Sequence, residues 1–184
     1  MVVALPPKLT VDDFFRLHGH ESNVELVRGF VVSSPMPGAE HGAVASAADF
    51  ELRGFVRANK LGRVMSNDTL VRLGPDTTRG ADVCFLSYAK LPADQKLPKG
   101  VLEVSPELVV EVKSPSDLWT DVLAKVVDHI RAGVRVVVVL DPATESASAF
   151  RSETRQQTFE RDHELTVPDV LPGFAVPVAR FFEG

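Results

Sequence analysis

The chain has 184 residues, a net charge of −5 and one cysteine. A chain of this length buries roughly 70% of its unfolded surface and needs no disulfide or metal staple, and the lone Cys84 excludes an intrachain disulfide. The acidic balance weighs against a protein that coats nucleic acid non-specifically, because phosphate contacts need Lys and Arg; it leaves room for an enzyme whose own site is acidic to hold cations.

Met1 to Pro7 has no basic n-region and too short an apolar stretch for a leader, and Val136 to Leu140 is too short to span a bilayer. A soluble, unanchored, cytoplasmic protein is expected, with residues 1–184 forming a single domain. Thr10-Val11-Asp12-Asp13 reads as a capping box opening a helix to His18. Residues 23–33 read as two strands and a tight turn at Arg28-Gly29. A helix from Ala39 to Asn59, ended by Gly62, places Val44, Ala48, Leu52 and Phe55 on one stripe and Arg53, Arg57 and Lys60 opposite. The segment from Arg53 to Arg79 carries a local balance of +4, so the rest sums to −9.

Strands follow at 63–73 and 82–87, the second opened by Asp82, with Cys84 as a small buried hydrophobe. Residues 88–106 read as a long loop. Leu108 to Lys113 is a strand buried on both faces at its apolar start. A helix over Asp117–Ala132, stopped by Gly133, and a buried strand at Val136–Asp141 come next. Short strands and turns close the chain, with a helical turn near Phe181. This order gives an α/β chain with a central mixed sheet and helices on its faces.

Glu111 follows Leu108-Val109-Val110, and Asp82 precedes Val83-Cys84-Phe85-Leu86. A charge in such a setting costs several kcal/mol unless paired or bound to a cation. Strand alternation puts Glu111 and Lys113 on one face and Val112 on the other. If Asp82 lies on a neighbouring strand, it can share a hard divalent cation with Glu111. Such a cation polarises a phosphodiester and activates water, with Lys113 orienting that water or offsetting charge. The alternative is a structural Glu111–Lys113 pair with Asp82 capping a loop.

Asp82…Glu111-Val112-Lys113 resembles the signature of the PD-(D/E)XK nucleases. With Val24-Glu25-Leu26-Val27-Arg28-Gly29, Ser34-Pro35, His41, Ala81-Asp82-Val83, Leu108 to Ser116, Asp121…Lys125…Ala132-Gly133-Val134, Val139 to Pro142 and Leu171-Pro172-Gly173, the chain resembles the Uma family of putative endonucleases from Thr10 to Phe182. The resemblance implies a restriction-endonuclease-like core and a homodimeric endonuclease acting on DNA with Mg²⁺ or Mn²⁺. It implies Asp82, Glu111 and Val112 as metal ligands, with Glu25, Lys113, Lys125 and His41 as further site residues.

Three positions depart from the family pattern. Ala81 stands where proline is usual, and His129 where an aromatic is usual. Many relatives are apolar at the Lys113 position and carry a helical lysine matching Lys125 instead; this chain has both. Plainer readings stand beside these: Lys125 paired with Asp121, Glu25 paired with Arg28, His41 as a satisfied core histidine, and Arg53, Arg57 and Lys60 as a solvated face rather than a phosphate-contacting ridge. A nuclease fold that binds or regulates without cleaving is the alternative function.

Overall fold

The computed structural model describes residues 7–183; Met1 to Pro6, read above for a leader, and Gly184 lie outside the described residues. Helix α1 (Val11–His18) opens as its capping residues dictate, with Thr10 Oγ1 accepting from Asp13 N at 3.2 Å. Strands β1 (Val24–Val27) and β2 (Phe30–Ser33) form a hairpin whose two turn residues, Arg28 and Gly29, have φ of 51° and 86°. Two positive φ angles match the right-handed twist of the flanking strands. Helix α2 (Ala39–Ala58) buries Val44, Ala48, Leu52 and Val56, while Phe55 is half-buried edge-on against Phe174.

Gly62 does not stop this helix. Lys60 takes the left-handed conformation (φ 53°) after the last turn, and Gly62 begins β3 (Gly62–Gly74). The glycine is needed there for close approach, since a Cβ would lie 2.2 Å from the Leu86 carbonyl oxygen. Strand β4 (Thr77–Ser87) starts well before Asp82, which therefore sits mid-strand rather than opening it. The small residues around Gly80 hide this longer strand from an apolar-pattern reading.

Strand β5 (Leu108–Val112) is buried at every position. The chain then crosses through α3 (Trp119–Arg131) to β6 (Val136–Asp141), which pairs parallel to β5, and Gly133 (φ 93°) turns the chain after the helix. Strands β7 (Ser146–Phe150) and β8 (Gln156–Phe159) extend the sheet antiparallel. A hairpin of β9 (Glu164–Thr166) and β10 (Ala175–Pro177) and a 3-10 turn at Val178–Phe181 complete the chain.

Among the described residues the main sheet has eight strands in the order β2-β1-β4-β5-β6-β7-β8, with β3 also paired to β4. It is a mixed sheet flanked by helices. On one face, α2 and the C-terminal segments pack on Val83, Phe85, Val110, Val112, Val138 and Leu140. On the other, Val122 and Val126 of α3 pack with Val109, Val137 and Val139.

Candidate active site

Asp82 and Glu111 lie on adjacent strands, β4 and β5, and are 9% and 5% exposed. The β4–β5 ladder pairs Val83 with Val110. One step beyond, the Asp82 side chain takes over the ladder's role, with Oδ2 accepting from Val112 N at 2.7 Å. The same oxygen lies 3.3 Å from His41 Nε2, at the start of α2. That contact, the largest cause, raises the His41 pKa above its ordinary value, against the opposing effect of burial.

Glu111 shares its strand face with Val109 and so meets α3. Its Oε2 lies 3.6 Å from Lys125 Nζ, and its Oε1 lies 3.3 Å from His129 Nε2. Oε1 is buried without a hydrogen-bond partner. Glu25 reaches the cluster from β1 and is fully engaged. Oε2 accepts from Arg79 at 2.8 Å, while Oε1 accepts from Gly80 N at 2.9 Å and lies 3.5 Å from Lys125 Nζ. Its partner is thus Arg79, not Arg28. Arg79 also donates to Asp128, one turn along α3, at 2.8 Å.

Lys125 thus stands between two carboxylates rather than pairing with Asp121. The Glu111 charge, the largest cause, and that of Glu25 push its pKa up despite burial. Lys113 follows the end of β5 and lies elsewhere. Its Nζ donates to the Ser114 carbonyl at 3.4 Å and sits 5.9 Å from the centre of the Trp119 ring. It makes no ion pair with an acid among the described residues.

Asp68, Arg79, Asp128 and His129 were not singled out as site residues from the sequence. Asp68 comes from an interruption in β3, where the register to β4 shifts between Ser66 and Thr69 and both Asn67 (φ 68°) and Asp68 (φ 53°) are left-handed. Bulges of this kind re-aim side chains beside active sites. Burial of its carboxyl and the Asp82 charge beside it raise the Asp68 pKa. An adjacent Asn-Asp pair, the non-glycine types that best tolerate this conformation, is the signal that could have marked it. Cys84 is buried, with its thiol pushed up to about 12 mainly by that burial, and is inert.

The basic segment is largely committed internally. Arg53 pairs with Asp49 at 2.6 Å, Arg63 donates to the carbonyls of Leu91, Pro92, Ala93 and Gln95, and Arg72 binds Glu103 at 2.6 Å. Arg57 and Lys60 remain exposed.

Among the described residues no three His, Cys, Asp or Glu side chains converge closely enough to hold a metal ion by themselves. Asp82 and Glu111, on adjacent strands, are the carboxylates that could hold a hard cation retaining several waters. The orphaned Glu111 Oε1 and the mutual repulsion of Asp68 and Asp82 are what a bound cation would relieve.

A family model described as Uma2, putative restriction endonuclease, matches residues 11–179. A comparison with curated proteins gives no match. Among solved structures, the fold is similar to that of a protein from Anabaena variabilis described as a putative nuclease belonging to DUF820. The TM-score is 0.83 and the identity 20%, over 95% of this chain and 97% of that one. At that identity the likeness shows the fold.

Proposed function

The chain belongs to the Uma2 family of putative restriction endonucleases, and from that membership and the site geometry we propose a divalent-cation-dependent endonuclease acting on DNA. The observation that carries the proposal is Glu111: a buried carboxylate with an orphaned oxygen, one strand away from Asp82. An acid so placed costs stability unless it is paired or bound to a cation; Lys125 faces Oε2 and leaves Oε1 without a hydrogen-bond partner.

Asp82 and Glu111, with the Val112 carbonyl, would hold Mg²⁺ or Mn²⁺. When bound, the cation would polarise the scissile phosphodiester and acidify a coordinated water. His41 fixes the rotamer of Asp82 through Oδ2. Glu25 fixes Lys125 and is itself locked by Arg79 and the Gly80 amide. Lys125, whose charged form Glu111 and Glu25 favour, offsets the negative charge that grows on the phosphoryl oxygens. Lys113, at the edge beside Trp119, would contact a backbone phosphate of the DNA.

No helix among the described residues is long and apolar enough to cross a membrane. We assign the exposed apolar residues of the edge strand β2, Phe30, Val31 and Val32, to a homodimer contact. Supercoiled plasmid tests the main reading. Cleavage should require Mg²⁺ or Mn²⁺, stop with EDTA, and fall to background in Glu111→Ala and Asp82→Ala. Cleavage that persists in either variant or without a divalent cation would refute it.

A further inference from the structure

The sheet-facing side of α3 contributes Val122 and Val126 to an apolar layer. His129 lies in the same helix with 0% of its surface exposed, and neither ring nitrogen has a hydrogen-bond partner among the described residues. A buried imidazole in that condition destabilises the fold, and a phenylalanine or leucine would fill similar space without the cost. Packing alone therefore disfavours a histidine here. What stands within reach of it is Glu111, whose Oε1 is 3.3 Å from Nε2 and is itself without a hydrogen bond.

His129 follows Lys125 by four residues, so the two side chains rise from the same face of α3. Lys125 addresses Glu111 Oε2 and His129 addresses Oε1. One helix thus sets a nitrogen beside each oxygen of one carboxylate. We propose that His129 is a positioning residue, which donates from Nε2–H to Glu111 Oε1 and holds that carboxylate in the orientation the reaction needs. This rests on the endonuclease reading above. Contacts of this kind lengthen in the unliganded site and tighten in the reactive complex. Partners that orient a ligating carboxylate typically matter about 10–100-fold in activity or metal affinity.

The test uses the full chain, with His129→Phe removing the donor at similar volume and His129→Gln retaining an N–H donor. His129→Phe should melt at or above the wild-type temperature. Its single-turnover cleavage rate should fall by about 10–100-fold, with KM for DNA unchanged and the half-saturating Mn²⁺ concentration raised. His129→Gln should recover most of the loss. Wild-type rate and Mn²⁺ dependence in His129→Phe would overturn the proposal, as would losses in both variants that merely follow lowered melting temperatures. If the wild type cleaves no DNA, the endonuclease reading fails and Mn²⁺ calorimetry decides on His129 separately. Weaker binding in His129→Phe, restored in His129→Gln, supports the positioning role; equal binding, or none in any variant, overturns it.

Discussion

Against one face of the sheet, α2 sets Val44, Ala48, Leu52 and Val56 onto Val83, Phe85, Val110 and Val112, all apolar. Against the other, α3 sets Val122 and Val126 onto Val109 and Val137, then breaks the pattern with Lys125 and His129 on Glu111. Strand β5 serves both layers, because successive side chains point to opposite faces. Val110 and Val112 belong to the α2 layer, while Glu111 between them belongs to the α3 layer. Along β5, an apolar stripe that only packs and a face that packs and holds charge are thus one residue apart, and they should respond differently to substitution; α2 reaches the site only at its first turn, through His41.

The sharpest separation lies between the two lysines. Lys125→Met should lower the single-turnover cleavage rate by about 100–1000-fold, as expected for loss of a preorganised electrostatic stabiliser. Lys113→Met, measured in the same assay, should lose less than about 10-fold, as a phosphate contact at the rim. The opposite ranking would move the chemistry from the helix back to the strand. On the apolar side, Leu52→Ala should cost about 2–5 kcal/mol in urea unfolding. Its cleavage rate at a temperature where it stays folded should match the wild type. A rate loss larger than the unfolded fraction explains would mean that the apolar stripe of α2 also shapes the site.

Smaller effects are expected from pH. Asp68 has a raised pKa in the folded chain, so its contribution is favourable below the unfolded value near 3.8 and is lost as pH rises through the folded value. Asp68→Asn should therefore raise the melting temperature at pH 7, with the gain vanishing below about pH 3.8. His41 also has a raised pKa. The stability it draws from Asp82 is fully present below pH 6.5 and fades as pH rises through the folded value, so the cost of His41→Ala should shrink toward alkaline pH. Thermal melts across pH read both.

Much of the fold was legible because periodicity reports which face a residue buries. The capping box of α1, the hairpin at Arg28-Gly29, β5 and β6 and the stripe Val44, Ala48, Leu52 follow directly from it. Boundaries set by backbone contacts did not follow. Gly62 resembles a helix stop but is required by the Leu86 carbonyl, and β4 begins at Thr77 through residues with no apolar alternation. At the site, Asp82 and Glu111 stood out because acids are costly in such strands. Alternation along β5 says that Lys113 and Glu111 share a face, but not that the strand ends at Val112 and the Lys113 side chain leaves toward Trp119. The partners of Glu25 come from residues more than fifty positions away, Arg79 and Gly80 among them, and no local pattern encodes that meeting. His129 is legible in the sequence only as a departure from the family's usual aromatic; its role becomes visible once its spacing from Lys125 has a common target in Glu111.

Crystals soaked in Mn²⁺ and measured for anomalous scattering test the central claim most directly. A single peak per chain, within ligand distance of both the Asp82 and Glu111 carboxylates and absent in Glu111→Gln, is the predicted result. No peak there, or an unchanged peak in Glu111→Gln, would contradict a cation centre built on these two strands.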